Sequence, residues 1–404
     1  MSNGGKRTKV KGELEMPDKK LIYLDHSATT PVDKDVAELV HETMIKNWGN
    51  PSSRYSVAND AKLVLEKARE QVAALINADP LNVFFTSGGT ESDNLAVLGV
   101  MQKAKELEGK DHFITSAFEH SAVLNTAEYL KNNGFRVTIL PINKNGMIET
   151  AAVESAIEQK TALVSIMHVN NEIGTIQPIN EIAQLCRSND VLFHTDAVQS
   201  FGKEKIDVKN TPIDIVSMSS HKIYGPKGIG AIYVNENVKL EPRALGGGQE
   251  KGVRTGTENM PGIAGLGYAA EICNNRFEED REVIGSLRDK FYSMIHEEVK
   301  DGIHLNGSME NRLYVNLNMR FDDVEAESLL LALDLDGICV STGSACSSGS
   351  TKPSHVLLAL GLKEQEAHSS IRFTLGRSNT EDDLRYVAER IGVHVKRLRE
   401  MASW

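Results

Sequence analysis

Between residues 83 and 216 the chain keeps returning to one pattern: a short apolar run, then, in most cases, a segment of helix length. The runs are Val83-Phe84-Phe85, His112-Phe113-Ile114, Val137-Thr138-Ile139-Leu140, Leu163-Val164-Ser165-Ile166, Val191-Leu192-Phe193 and Ile213-Asp214-Ile215-Val216. Segments such as 91–107, 120–132 and 178–188 separate most of them. Strands that alternate with helices require right-handed crossovers and produce a largely parallel sheet covered on both faces. The predicted fold class is therefore α/β. In such sheets ligands bind at the carboxyl ends of the strands, so the residues just after each run are the ones to read for chemistry.

The flanking regions have a different texture. Val36, Leu39, Val40 and Met44 have helical spacing, as do Leu63, Leu65, Ala68, Val72 and Leu75. After about residue 275 a charged helix (Phe277 to His296) is predicted, then Arg312-Leu313-Tyr314-Val315-Asn316-Leu317-Asn318 as a half-exposed strand. A helix at 325–334, a run at 338–342, a strand at Ser370 to Leu375 and a final charged helix follow. The expected organisation is a large α/β domain (31–275) and a smaller α+β domain (276–404, with residues 21–30). The first twenty residues should be a solvated, disordered extension. Lys6, Arg7, Lys9, Lys11, Lys19 and Lys20 make it basic, but it has no hydrophobic segment for secretion and too few arginines for a mitochondrial presequence.

Composition excludes several classes. A net charge of -11 over 404 residues argues against direct nucleic-acid binding, and no apolar stretch is long enough to span a bilayer. The four cysteines, Cys186, Cys273, Cys339 and Cys346, show no CxxC and no histidines at metal-ligand spacing. No metal site is expected, and a reducing cytoplasm suits them. Cys186, Cys273 and Cys339 lie in apolar patterns and read as core. Cys346 lies in Ser341-Thr342-Gly343-Ser344-Ala345-Cys346-Ser347-Ser348-Gly349-Ser350-Thr351, which has almost nothing to anchor a core. That thiol reads as exposed, on a mobile loop, and as a nucleophile.

Lys222 follows the last of the runs, in Ser219-Ser220-His221-Lys222-Ile223-Tyr224-Gly225. An amine delivered by the end of a buried strand is poorly hydrated, which favours its neutral form for imine chemistry. The serines and histidine beside it offer groups for a phosphate, and together they point to pyridoxal phosphate. Alone, this triplet fits a surface lysine better. Other strand ends add to it. Thr86-Ser87-Gly88-Gly89-Thr90 begins a helix whose N–H groups suit a phosphate, although Thr90 could simply cap it. His120 opens another helix, where it is either structural or placed to stack on a ring and relay protons. Asp196 ends a strand, where it serves either as a helix cap or as the partner of a pyridinium nitrogen. The glycine-rich Gly246-Gly247-Gly248-Gln249-Glu250 and Arg254-Thr255-Gly256-Thr257 form a polar loop that alone decides nothing.

In this order the pieces resemble the cysteine desulfurases (NifS/IscS type) of the class V, fold-type-I pyridoxal-phosphate enzymes. The resemblance starts at Leu21-Ile22-Tyr23-Leu24-Asp25-His26-Ser27-Ala28-Thr29-Thr30 and continues to about Ala402. It includes Gly49-Asn50-Pro51-Ser52-Ser53, Met167-His168-Val169-Asn170-Asn171-Glu172-Ile173-Gly174, Gly248-Gln249-Glu250-Lys251-Gly252 and His368-Ser369-Ser370-Ile371-Arg372. It implies a mostly parallel seven-stranded sheet and a smaller C-terminal domain. It also implies that Lys222 forms the cofactor imine, Asp196 pairs with the ring nitrogen, Gln199 bonds the phenolic oxygen and His120 stacks on the ring. Gly89, Thr90, Ser219 and His221 would hold the phosphate, with Thr257 reaching it from a second subunit of a homodimer with shared sites. Asn171 and Arg372 would hold the substrate carboxylate, where an arginine fork suits two oxygens. L-Cysteine would become L-alanine while Cys346 takes up the sulfur as a persulfide, to pass to an iron–sulfur scaffold or another acceptor protein.

Two departures stand out. Tyr55 occupies a position where many members have histidine, and the sequence stops at Ser403-Trp404 where many housekeeping members continue into a scaffold-contacting tail. The resemblance thus supports catalysis more strongly than scaffold docking. The competing readings are a selenocysteine lyase or another class V enzyme, and a non-catalytic assembly platform. The presence of Lys222, Asp196, His120 and Cys346 together weighs against the platform.

Overall fold

The computed structural model describes residues 20–343 and 352–402. A two-residue strand β1 (Ile22–Tyr23) precedes helices α1 (Lys34–Lys46) and α2 (Ser56–Ala74). The alternating region then unrolls as β2 (Val83–Thr86), α3 (Gly89–Glu108), β3 (His112–Ser116), α4 (Ser121–Asn132), β4 (Arg136–Leu140), α5 (Thr150–Ala156) and β5 (Thr161–Ser165). It continues through α6 (Ile179–Ser188), β6 (Leu192–Asp196), β7 (Ile215–Ser219) and β8 (Gly230–Val234). Strands β2 to β8 form one seven-stranded sheet in the order β2-β8-β7-β6-β5-β3-β4. Both faces are covered. Phe84, Phe113, Leu163 and Ile215 pack into one core and their neighbours Phe85, Ile114, Val164 and Val216 into the other, as strand geometry demands of successive residues. Truncating a fully buried side chain such as Phe113 to alanine costs about 3–5 kcal/mol.

Strand β8 is absent from the sequence-derived runs, and it is the strand that breaks the parallel pattern. It pairs antiparallel with both β2 and β7. The stretch 220–229 is too short for a helical crossover, so the chain turns back beside β7 instead. Gly230 begins β8 in a tight place. A Cβ there would lie 2.6 Å from the Met218 carbonyl oxygen and 2.7 Å from Gly88 Cα.

Helix α7 (Met260–Glu298) is 39 residues long and starts well before the predicted Phe277. Its glycine-rich opening reads poorly as helix. The glycines serve packing: a Cβ on Gly267 would lie 2.5 Å from Ala68 Cα of α2. The chain closes with β9 (Ile303–Leu305), β10 (Asn316–Phe321), α8 (Ala326–Leu335), β11 (Ile338–Cys339), α9 (His355–Ala359), α10 (Glu364–His368), β12 (Ser370–Thr374) and α11 (Glu381–Ala402). Strands β12, β10 and β9 form an antiparallel sheet, and β1 pairs parallel with β11. A separate core gathers Leu24, Phe291, Leu317, Met319, Phe321, Ile371, Phe373 and Ile391.

The strand predicted from Arg312 begins instead at Asn316, and it is buried rather than half exposed. Arg312 to Val315 turn beneath Gly174, where the Leu313 N–H meets the Gly174 carbonyl at 2.8 Å. Buried Asn316 and Asn318 donate to the Glu172 carbonyl, both at 3.2 Å, which is why polar residues sit where exposure was expected. Cys186 and Cys273 are buried free thiols, whereas Cys339, on the short β11, is only half-buried. Cys346 and residues 1–19 of the expected extension lie outside the described residues. Among the described residues no helix is long and apolar enough to cross a membrane.

Candidate active site

A cavity of about 360 Å³ opens at the carboxyl ends of the parallel strands. Its wall includes Gly89 and Thr90 at the start of α3, His120 before α4, Asn171 after β5, and Asp196 and Gln199 at and after the end of β6. Ser219, His221 and Lys222 at the end of β7, and Arg372 from β12, complete it. Every site residue predicted from the sequence is therefore brought to one cavity, except two. Thr257 is exposed and does not line it within one chain, and Cys346 lies outside the described residues.

β7 is buried along its length and ends in a 3-10 turn, Ser220–Lys222, which carries the lysine into the cavity. Lys222 is half-buried. Its Nζ donates to the Ala28 carbonyl at 2.7 Å and to the Ser27 carbonyl. Gln199 Nε2 also donates to the Ser27 carbonyl, at 3.0 Å, so the segment after β1 braces both side chains. Asp196 caps no helix. Its Oδ1 accepts from the Val198 N–H at 2.8 Å, and burial pushes its pKa up while His120, that N–H and Lys222 pull it down.

His120 caps α4 through its ring. Nδ1 accepts from the Ala122 N–H at 3.1 Å, which puts a proton on Nε2. His221 Nδ1 meets Thr29 Oγ1 at 3.1 Å, and burial, with Lys222, Lys227 and Lys203 nearby, lowers its pKa to about 4. It is thus a neutral hydrogen-bonding group. Ser219 Oγ is buried without a partner. Thr90 is not the cap of α3, because Gly88 occupies that position, and it lines the cavity instead. Arg372 Nη1 donates to the Asn171 carbonyl at 2.8 Å, and Nη2 pairs with Asp25 at 2.7 Å. Its Nε is buried and unpartnered.

Sequence reasoning missed the buried acids around this wall. Asp93, one turn into α3, lines the cavity; its Oδ1 accepts no hydrogen bond and lies 3.7 Å from His194 Nε2, and burial and Asp196 push its pKa well up. Glu119 accepts from Ser116 and from the Met167 N–H, and burial raises its pKa to about 8. Glu172 accepts from Ser354 at 2.5 Å and is likewise pushed up by burial. The available signal was their position: acids directly beside apolar strand ends or inside a buried helix turn. Among the described residues no cluster of His, Cys, Asp and Glu could hold a metal.

The model of the family described as "Aminotransferase class-V" matches residues 22–387. The chain is 46% identical over 385 residues to the cysteine desulfurase IscS of Clostridium botulinum, covering 95% of this chain and 96% of that one. Among solved structures, a NifS-like protein superposes with a TM-score of 0.85 at 35% identity, covering 95% of this chain and 100% of that one. The structure of SspA in complex with cysteine gives a TM-score of 0.78 at 41% identity, covering 88% and 98%.

Proposed function

The chain belongs to the class V aminotransferases, among the cysteine desulfurases, and on that premise we propose that the cavity takes pyridoxal phosphate and L-cysteine and that Cys346 receives the sulfur. The observation that carries this reading is the convergence of Lys222, Asp196 and the unpartnered Ser219 hydroxyl on one wall. These residues fit the cofactor. The start of α3, Thr90, Ser219 and His221 are donors for a phosphate. Gly89 lets the start of α3 pack closely on Val198, because a Cβ there would lie 2.5 Å from Val198 Cγ2. A cation beside Asp196 would stabilise a carboxylate that burial alone disfavours. When bound, pyridoxal phosphate draws electrons from the substrate and lets its Cα–H bond ionise.

Lys222 is the base. Its Nζ, braced by two carbonyls, takes the proton from the substrate Cα and returns it. His120, with its proton at Nε2, would lie against the cofactor ring and relay a proton, and Gln199 would offer its remaining amide N–H to the ring's phenolic oxygen. Asn171 and Arg372 hold the substrate carboxylate, for which Arg372 keeps its Nε and a second N–H on each Nη. The Cys346 thiolate attacks the substrate sulfur. An S–S bond forms as the Cβ–S bond breaks, and Cβ takes a proton in place of sulfur. Alanine leaves and a persulfide remains, with no external oxidant.

The exposure of Thr257 supports a homodimer in which that residue completes the partner's phosphate site. The separate cores support a division near residue 275 with 21–30 joining the second unit, although Val356, Leu357, Leu360 and Ala367 pack into the first core and Val169 into the second. Free Cys186, Cys273 and Cys339 support a cytoplasmic protein that hands sulfur to an iron–sulfur scaffold or another acceptor protein.

Mass spectrometry after incubation with L-cysteine tests the reading. Added sulfur is expected on Cys346 and not in Cys346→Ser, which should still hold the cofactor. Sustained sulfide release by Cys346→Ser would remove the thiol from the mechanism. Faster turnover of selenocysteine, or of alanine with a keto acid, would favour the other class V activities.

A further inference from the structure

Behind the cavity wall lies a second lysine that this reaction leaves idle. Lys203 is only 8% exposed. Its Nζ donates to the Gln199 carbonyl at 3.1 Å, and among the described residues it has no ion-pair partner. The groups facing it come from four other segments: Lys222 after β7, Cys273 on α7, Arg377 after β12 and His26 after β1. Arg377 is already paired with Asp280 at 2.7 Å and stacked 4.3 Å over Tyr224. It also donates to Cys273 Sγ at 3.5 Å. His26 has no partner for either ring nitrogen, and burial and Lys203 lower its pKa to about 4, so it is neutral. None of these groups is a carboxylate that would hold a proton on Lys203.

The two lysines are linked. Lys203 holds the Gln199 carbonyl, the Gln199 amide holds the Ser27 carbonyl at 3.0 Å, and Lys222 donates to that same carbonyl. Hydrogen bonds through Gln199 and Ser27 thus connect the buried amine of Lys203 to the half-buried amine of Lys222 on the cavity wall. Two like charges so placed oppose each other's protonation. Burial, followed by Lys222 and Arg377, lowers the pKa of Lys203 to about 7 against the smaller pull of Cys273.

We propose that Lys203 is a positioning residue for the reaction: a second buried amine, tied to Lys222 through Gln199 and Ser27, that discourages a proton from residing on the Lys222 nitrogen. While it carries its own proton, it thereby keeps Lys222 able to accept a proton from substrate, as a cationic neighbour does for other reactive lysines. The inference rests on the role proposed for Lys222.

The test titrates the holoenzyme without substrate, following the visible absorbance of the bound cofactor, which reports the proton on the Lys222 nitrogen. Lys203→Met should raise the midpoint by about one pH unit. Lys203→Gln, which keeps a donor for the Gln199 carbonyl without the charge, should raise it as well. Lys203→Arg should stay close to the parent. Melting of the cofactor-free protein gives a second reading. A lysine whose folded pKa is depressed costs stability progressively as pH falls from its unfolded value to about 7. Lys203→Met should therefore flatten that slope. A merely structural lysine would flatten it too, but would leave the midpoint in place, and an unmoved midpoint in both neutral variants overturns the inference. Borohydride reduction and peptide mapping of the parent separate the two layers. Cofactor on Lys222 with an unmoved midpoint defeats this inference alone, whereas cofactor on another lysine defeats the site as well.

Discussion

Two recesses of similar size open at opposite ends of the main sheet, about 360 Å³ at the carboxyl ends of the strands and about 310 Å³ at the amino ends. The second is rich in charge, with Lys103, Glu108, Lys110, Arg187 and Asp190 on its wall. Much of that charge is spent in surface pairs: Lys103 with Glu106 at 2.9 Å and Glu241 at 3.1 Å, Lys110 with Glu108 at 3.2 Å and Asp190 at 3.3 Å. Such pairs are each worth about 0–1 kcal/mol and fade in salt. The first recess keeps its polar groups buried and incompletely matched. Asp93 and Asp196 on its wall, and Glu119 and Glu172 outside it, are all raised in pKa by burial, and Ser219 Oγ and Arg372 Nε on the wall lack partners. Volume does not separate the two. What separates them is that one end holds buried polar groups without partners, which a bound ligand would balance.

The sharpest way to break this contrast is at Lys222. Lys222→Ala should abolish the visible absorbance of the bound cofactor and lower kcat/KM for cysteine by at least roughly 10³-fold; absorbance that survived would take the covalent role away from this end. Arg372→Lys keeps the charge and loses the fork. The KM for cysteine should rise about 10- to 100-fold, matching the roughly 1.5–3 kcal/mol of a hydrogen bond to a charged group. A steady-state series in which only kcat fell would place Arg372 outside carboxylate binding.

A smaller effect concerns pH. Glu119 is raised from the ordinary glutamate value to about 8 by burial, so the folded state binds its proton more tightly than the unfolded chain. It therefore costs stability as pH rises from the unfolded value toward 8. Glu119→Gln should flatten the pH dependence of stability, measured by urea denaturation, over that window, most visibly at its upper end. A parallel shift at every pH would mean that Glu119 stays ionised. The smallest effect belongs to the other recess. Lys110→Ala should change stability by less than about 0.5 kcal/mol and leave turnover alone; a turnover loss there would erase the distinction between the ends.

Much of this was legible because the site residues follow apolar strands, a relation the sequence displays directly. Asp196 follows Val191 to Phe193, and Lys222 follows Ile213 to Met218. Other features were hidden by contacts distant in sequence. The glycines that open α7 look unhelical until α2 is packed against them, and Asn316 looks exposed until Glu172 is found above it. Period and propensity report which side of an element is apolar, but they do not report which polar residue a distant segment will bury. Asp93, Glu119 and Lys203 escaped notice for that reason. Thr257 could not be judged within one chain, since its exposed position gives it no place in the cavity that chain forms.

The antiparallel strand β8 contributes no chemistry, yet its first residue governs spacing elsewhere. With only a hydrogen at position 230, the turn at Gly88 and the end of β7 can close together beside Gly89 and Ser219, the groups we propose for the phosphate. A single methyl would wedge them apart. The gauge of the proposed phosphate cradle is thus set from underneath, by a residue that a ligand would never meet.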